Sequence, residues 1–484
     1  MLKRYIVFIL TFVICDAAFA QMGNGSERAA ERRVGKQIEA QVEKQVGRGV
    51  DKQLDKQLEK QIEKGVGKAV SQQVEKLVGG PSIESKVENQ GLSRAKTVVS
   101  ATPAAARSAI VQDERRIAAE AQQGRVASVA SNKAASHYNI AVDVNGSMYI
   151  EDQNLLLATE QNLNELKRLG IVPNQITKLK GLEQYLIEFD NGQAARLEGA
   201  IANSNSVNYL YQYQAGDALL STDSWMPQEA MPLAAVHSGN GLRVGLIDSK
   251  PDLAHKSFTS ARVTTRSFVA ANLVEPHEHG TAIGSILVGG TKNFTGLLPK
   301  AELYSASVFY ESKAGDVASL KSIVMAIDWL ILNRVKVINM SLAGPPNSLL
   351  EMAVNKAQKL DMAVVAAAGN GGPAARPAYP AGYEGVIAVT AVDRNLQVYY
   401  RANRGMYIDF SAPGVNIIHV KAGGETTVSS GTSYAVPFVV AALAVLNENL
   451  SLPQSLIQLS KSAKDLGDPN KDRIFGVGLV SIEP

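Results

Sequence analysis

From Leu242 onward the chain alternates continuous apolar runs with longer stretches of helical spacing, and this alternation constrains the fold more than any other feature. The apolar runs are Leu242 to Ile247, Ala301 to Val308, Val335 to Met340, Met362 to Ala367 and Gly385 to Val392. Leu320 to Asn333 and Leu349 to Leu360 carry helical spacing between them. A strand that is apolar along its whole length has both faces covered, as in a parallel sheet with helices on either side. The expected class is therefore α/β. In such sheets sites form beyond the carboxyl ends of the strands.

Four polar residues stand at those ends. Arg243-Val244-Gly245-Leu246-Ile247-Asp248-Ser249 is a buried strand that runs into an acid. Alone, Asp248 reads as a turn or capping residue. His279-Gly280-Thr281-Ala282-Ile283-Gly284 opens a helix of small residues, and Gly280 and Gly284 permit close backbone packing. His277 precedes His279 by two positions, but a His-x-His pair without a third ligand at recognisable spacing is a poor metal site. In Val364-Val365-Ala366-Ala367-Ala368-Gly369-Asn370-Gly371 a strand ends in Asn, a common turn residue whose amide is also a donor for a developing oxyanion. Ser433 lies in Ser430-Gly431-Thr432-Ser433-Tyr434-Ala435-Val436-Pro437, at the start of an apolar helix reaching Leu446. There the unpaired backbone N–H groups and the positive dipole end favour developing negative charge. The bland reading of Ser433 is an N-cap. Pro437 is expected in the first turn, which tolerates its missing N–H best.

Each residue alone is ordinary; the ordered set Asp, His, Asn, Ser is not. Asp before His before Ser is the order of the subtilisin triad. The blocks His279-Gly280-Thr281, Ala368-Gly369-Asn370 and Gly431-Thr432-Ser433-Tyr434-Ala435-Val436-Pro437 closely resemble the signatures of the subtilase family of serine proteases. Further matches are Asn339-Met340-Ser341-Leu342-Ala343-Gly344, Tyr379-Pro380-Ala381, Ser411-Ala412-Pro413-Gly414 and Phe475-Gly476-Val477-Gly478-Leu479-Val480. The resemblance covers residues 232 to 484. It departs at Lys250, where the family carries Gly or another small residue two positions after its Asp.

The resemblance implies an Asp248-His279-Ser433 triad, with Asn370 as oxyanion donor and polypeptides as substrates. It further implies that Ser341, Leu342, Ala343 and Gly344 pair with substrate backbone. With Ala367, Ala368 and Gly369 they would wall the pocket for the residue before the scissile bond. Those walls are small and apolar, so a large apolar or aromatic residue is expected there. No cofactor follows from the sequence; the family leaves room for Ca²⁺, but no calcium loop is recognisable. An α/β-hydrolase triad needs its Asp and then its His after the Ser. All six histidines (His137, His237, His255, His277, His279 and His419) precede Ser433, so that order cannot be assembled. A catalytically silent binding protein on the same scaffold stays open, although no triad residue is missing.

The first half of the chain is organised differently. Lys3 and Arg4, the apolar run Tyr5 to Cys15 and the small-x-small Ala18-Phe19-Ala20 give residues 1–20 the pattern of a cleaved export signal. Cys15 is the only cysteine, so the mature protein would have no disulfide framework. Within residues 31–79 an apolar residue recurs every fourth position from Val34 to Val78. On a helix each such step overshoots a full turn by about 40°, so the stripe spirals round the axis. Short amphipathic helices that meet a partner, a membrane surface or one another fit this segment, and so does a solvated spacer. As a surface or assembly module it would position the enzyme. Residues 80–139 are rich in Ala, Ser and Gln and read as linker. Residues 140–215 resemble a small α+β unit, with a helix at Asn162 to Leu169 and a strand at Gln184 to Phe189. That strand is expected to end in the turn Asp190-Asn191-Gly192. The unit sits where subtilases carry an inhibitory propeptide, and cleavage is expected between about residues 212 and 232. Nothing in it points to chemistry. A net charge of only +3 gives no leaning toward nucleic acid.

Overall fold

The computed structural model describes residues 138–197, 205–213, 223–233 and 237–481. The segments expected at 1–20 and 31–79, and nearly all of 80–139, lie outside the described residues.

The first described elements are strands β1 (Ile140–Val142) and β2 (Met148–Ala158), helix α1 (Glu160–Arg168), strands β3 (Gln175–Leu179) and β4 (Gln184–Phe189), helix α2 (Asn191–Leu197) and strand β5 (Asn205–Tyr211). Helix α1 starts two residues before the expected Asn162 because Thr159 and Asn162 cap it reciprocally: the Asn162 N–H donates to Thr159 Oγ1, and the Thr159 N–H donates to Asn162 Oδ1. The turn expected at Asp190-Asn191-Gly192 is instead the start of α2. Asp190 Oδ1 accepts from the Gln193 N–H at 2.8 Å, as an N-cap does. A short carboxylate serves a turn or a cap equally well, and the Gln-Ala-Ala-Arg that follows favours helix.

The parallel sheet is built from β6 (Arg243–Asp248), β7 (Arg262–Ser267), β8 (Glu302–Ser307), β11 (Val337–Met340), β12 (Ala363–Ala367), β13 (Ile387–Val392) and β14 (Ile408–Pro413). A hairpin, β9 (Phe309–Ser312) and β10 (Gly315–Ser319), follows β8. The order is β14-β13-β12-β11-β6-β8-β7, and every neighbouring pair is parallel. The helices are α3 (Glu278–Val288), α4 (Leu320–Leu332), α5 (Ser348–Lys359), α6 (Thr432–Leu446) and α7 (Leu452–Ser462). Alternate strand residues point to opposite faces. Val244, Leu246, Val337 and Val365 join the core under α3 and α6. Ile247, Ile338, Met340, Val364 and Ala366 join the core under α4 and α5. Both faces are therefore covered, as the continuous apolar runs require, and the strands fall within two residues of the expected runs.

Leu155, Leu157, Leu179, Leu182, Leu186 and Tyr211 of the small unit belong to the same core as α4 and α5. Polar contacts fix this docking. Asp328 accepts from the Gly181 and Leu182 N–H groups at 2.7 and 2.9 Å. Lys321 pairs with Glu188, Lys356 with Glu183, and Asn347 Nδ2 donates to Ser206 Oγ. The hairpin that follows β8 also joins the small unit's sheet at its edge. Strand β5 pairs with β10 through Ala318 opposite Tyr211 and Ser319 opposite Leu210, giving the order β9-β10-β5-β2-β4-β3.

Close approach of α3 to the end of β6 needs a residue without a side chain. A Cβ on Gly280 would lie 2.1 Å from the Ser249 carbonyl oxygen. Backbone cannot yield cheaply, so Gly280→Ala should lower stability by about 1–3 kcal/mol, read as a lower denaturant midpoint in urea.

Candidate active site

Asp248 is the last residue of β6 and is fully buried. His279 is the second residue of α3, one turn from the strand end that Gly280 lets it approach. Its Nδ1 lies 2.9 Å from both Asp248 oxygens. A carboxylate accepts, so Nδ1 carries the proton and Nε2 presents a lone pair. The Ser249 hydroxyl accepts from the Gly280 N–H at 2.8 Å and pins the two elements together. The loop bearing Lys250 is held on both sides. The Asp252 N–H donates to Thr281 Oγ1, and Asp252 Oδ2 accepts from the Gly423 N–H. Lys250 itself turns toward Glu275, 3.5 Å away, so the departure from the family pattern leaves the acid in place.

Ser433 is the second residue of α6 and is buried. Its hydroxyl donates to the Ser341 carbonyl at 3.4 Å and makes no hydrogen bond to His279. Catalytic hydrogen bonds commonly tighten only with substrate in place. Pro437 was expected in the first turn of α6, but it stands sixth in the helix. There its missing N–H orphans the carbonyl four residues back, which belongs to Ser433. The Ser341 hydroxyl fills that gap, donating to the Ser433 carbonyl at 3.0 Å, while Ser341 Oγ in turn accepts from Asn339 Nδ2. Strand β11 and helix α6 are thus clamped at Ser433.

Asn370 follows β12 after Gly369, whose φ of 107° only glycine adopts readily. Asn370 Oδ1 accepts from both the N–H and the hydroxyl of Thr432, at 3.0 and 2.9 Å. This fixes which end of the amide is oxygen, so Nδ2 is the donor end, beside the N-terminus of α6. Ala367 and Ala368 are buried at the end of β12, and the Ala368 carbonyl accepts from the Tyr407 hydroxyl at 2.7 Å. The Gly369 N–H donates to Thr432 Oγ1. Ser341, Leu342, Ala343 and Gly344 continue beyond β11 toward the same place.

Residues that carried no motif complete the site. Gln212 and Ala343 exchange two backbone hydrogen bonds of 2.9 Å in an antiparallel bridge. Next along the chain, the Tyr213 ring stacks on the His279 imidazole (4.3 Å between centroids, 18°) and on Phe309 (4.0 Å, 24°). The last described residue of the small unit, in which the sequence showed no chemistry, therefore covers the imidazole. The alternation Tyr209, Tyr211, Tyr213 was its one visible signal. Tyr434 contacts both His279 and a second imidazole, His419. His419 Nδ1 donates to the Val420 carbonyl, so its Nε2 accepts from Ser429 Oγ. Burial pushes the His419 pKa down to about 4. His277 is exposed at the end of α3. No group of three or more His, Cys, Asp or Glu side chains is placed to hold a metal among the described residues.

A His whose folded pKa lies below its ordinary 6.5 resists the proton that the unfolded chain takes up. Its native state is unpenalised above that value and loses stability as pH falls toward 4. The shift implies a loss of about 3 kcal/mol across the window. His419→Gln should flatten the fall of Tm between pH 6.5 and 4; an unchanged profile would show that other groups set it.

A profile described as the subtilase family matches residues 239–478. Subtilisin DY of Bacillus licheniformis is 35% identical over 259 residues, which cover 51% of this chain and 91% of that protein. Minor extracellular protease Epr of Bacillus subtilis (strain 168) is 33% identical over 257 residues. That match covers 50% of this chain and 38% of Epr, so the chain spans well under half the length of that relative. Among solved structures, fervidolysin from Fervidobacterium pennivorans shares the fold at a TM-score of 0.60 and 19% identity. That likeness covers 73% of this chain and 64% of fervidolysin.

Proposed function

The chain belongs to the subtilase family of serine endopeptidases, and we propose that it hydrolyses peptide bonds through Asp248, His279 and Ser433. The observation that carries this reading is the buried Asp248 carboxylate on His279 Nδ1, with Nε2 directed as a base on the side away from it. His279 takes the Ser433 proton as Oγ attacks the scissile carbonyl. Asp248 holds the tautomer and stabilises the imidazolium that forms. The Asn370 amide and the Ser433 N–H bind the oxyanion as it develops. His279 then protonates the leaving amine, and water opens the acyl-enzyme by the same steps in reverse. Ca²⁺ finds no matching cluster among the described residues, and no step depends on it.

We further propose that Ser341 to Gly344 take the substrate backbone, in the manner Ala343 takes Gln212. The small side chains of Ala367, Ala368 and Gly369 favour a large apolar or aromatic residue before the scissile bond. Residues 140–215 act as an intramolecular inhibitor preceding a peptidase unit at 232–484. Supporting this, their last described residues cover the imidazole and their polar contacts run along α4 and α5. The enzyme cuts itself free beyond Tyr213, between about residues 212 and 232. The pattern at residues 1–20 supports export, and the four-residue repeat supports attachment of residues 31–79 to a surface or partner.

Ser433→Ala should keep the small unit covalently attached while the native sequence sheds it, as read by intact mass. Shedding by the variant would exclude self-cleavage. Asn370→Ala should lower turnover by about 10²–10³ with KM little changed, a magnitude carried over from subtilisin itself. Near-normal turnover would remove Asn370 from the oxyanion site.

A further inference from the structure

The stretch that ends the small unit occupies the cleft as an extended strand held on both edges. Tyr211 pairs with Ala318 of β10, and Gln212 pairs with Ala343. Backbone pairing of this kind gives affinity without reading side chains; selectivity comes from the pockets that alternate residues enter. Two of those pockets are filled here, by Tyr211 and Tyr213.

The Tyr211 ring is completely buried against the backbone of Gly344. A Cβ on Gly344 would fall 2.2 Å from its Cδ1, so the pocket exists because residue 344 has no side chain. At the far end of the ring the hydroxyl donates to the Pro345 carbonyl at 3.2 Å. The pocket is thus as deep as a tyrosine and ends in an acceptor. Tyr213 meets a different surface. Its ring lies in a slot between His279 and Phe309, both stacked on it. Its hydroxyl is buried and makes no hydrogen bond that meets ordinary geometry. The slot accepts a flat ring and gives its hydroxyl nothing.

Resting on the peptidase reading above, we propose that this enzyme selects polypeptides carrying Tyr-x-aromatic immediately ahead of the cleaved residue. Gly344 and Pro345 read a tyrosine at the first position. Phe309 and His279 read a flat ring at the second. The two positions differ in what they ask of the hydroxyl. The first ring is recognised together with its O–H. The second is recognised by stacking alone, and a buried hydroxyl without a partner makes tyrosine no better there than phenylalanine. The chain's own Tyr211-Gln212-Tyr213 satisfies the first pocket fully and the second through its ring.

The test uses the full chain after self-processing and fluorogenic Tyr-Gln-Tyr-Phe-Ala peptides, which carry the chain's own Tyr-Gln-Tyr ahead of a large aromatic residue at the cleaved position. Alanine for the first tyrosine should lower kcat/KM by about tenfold or more, the effect of withdrawing a buried aromatic side chain. Phenylalanine there should lower it by about two- to tenfold, the worth of one net hydrogen bond. Phenylalanine for the second tyrosine should match or exceed it, whereas alanine there should cost about tenfold or more. In Gly344→Ala enzyme the preference for tyrosine over alanine at the first position should collapse. Cleavage of all peptides at similar rates, or a preference for tyrosine over phenylalanine at the second position only, would overturn the proposal and leave the peptidase reading standing. Cleavage of neither the peptides nor unstructured casein would take the peptidase reading down with it.

Discussion

The contact between Asp248 and His279 is the constraint on which the rest of the site depends. A carboxylate removed from water is tolerable only when its oxygens are bonded, and here both face one imidazole nitrogen. The contact joins a strand end to a helix start 31 residues away in sequence. It exists because β6 lies inside a parallel sheet and because Gly280 lets α3 come down onto the Ser249 carbonyl. Every later feature, from the tautomer of His279 to the ring that covers it, presupposes that placement.

A second set of contacts places Ser433, the proposed nucleophile. Pro437 removes a helical hydrogen bond and leaves the Ser433 carbonyl without its usual partner. Ser341, from the strand that also receives extended backbone, supplies the replacement. Thr432 meanwhile orients Asn370 through two hydrogen bonds. Ser433, Asn370 and the segment that begins at Ser341 are therefore fixed to one another by hydrogen bonds, in the arrangement the proposed nucleophile, oxyanion donor and backbone-binding strand would need. Such mutual fixing is what preorganised electrostatic stabilisation requires.

Much of this was legible in the sequence. Continuous apolar runs identify strands buried on both faces, since polar alternation would otherwise mark the exposed side; the five such runs are five of the sheet's seven strands. The other two carry weaker signals. Strand β7, Arg262–Ser267, lies at the sheet edge and is largely polar, while β14 begins directly after the irregular stretch 403–407. Asp248, His279, Asn370 and Ser433 were legible because small-residue blocks surround them, and close backbone approach demands small residues. Asp190 misled because one side-chain geometry serves a turn and a helix cap alike. Tyr213 was invisible for a different reason. Its partners, His279 and Phe309, lie far along the chain, and a stacked ring imposes no local pattern. The Ser341 link to Ser433 was likewise a tertiary answer to a local defect at Pro437.

The most direct test of the central claim is the rate at which a fluorophosphonate modifies Ser433 in the native sequence and in His279→Ala. If His279 is the base, the native protein labels at Ser433 and nowhere else, and the variant labels slower by about 10² or more. Equal rates in the two proteins, or a native Ser433 that does not react at all, would contradict the assignment.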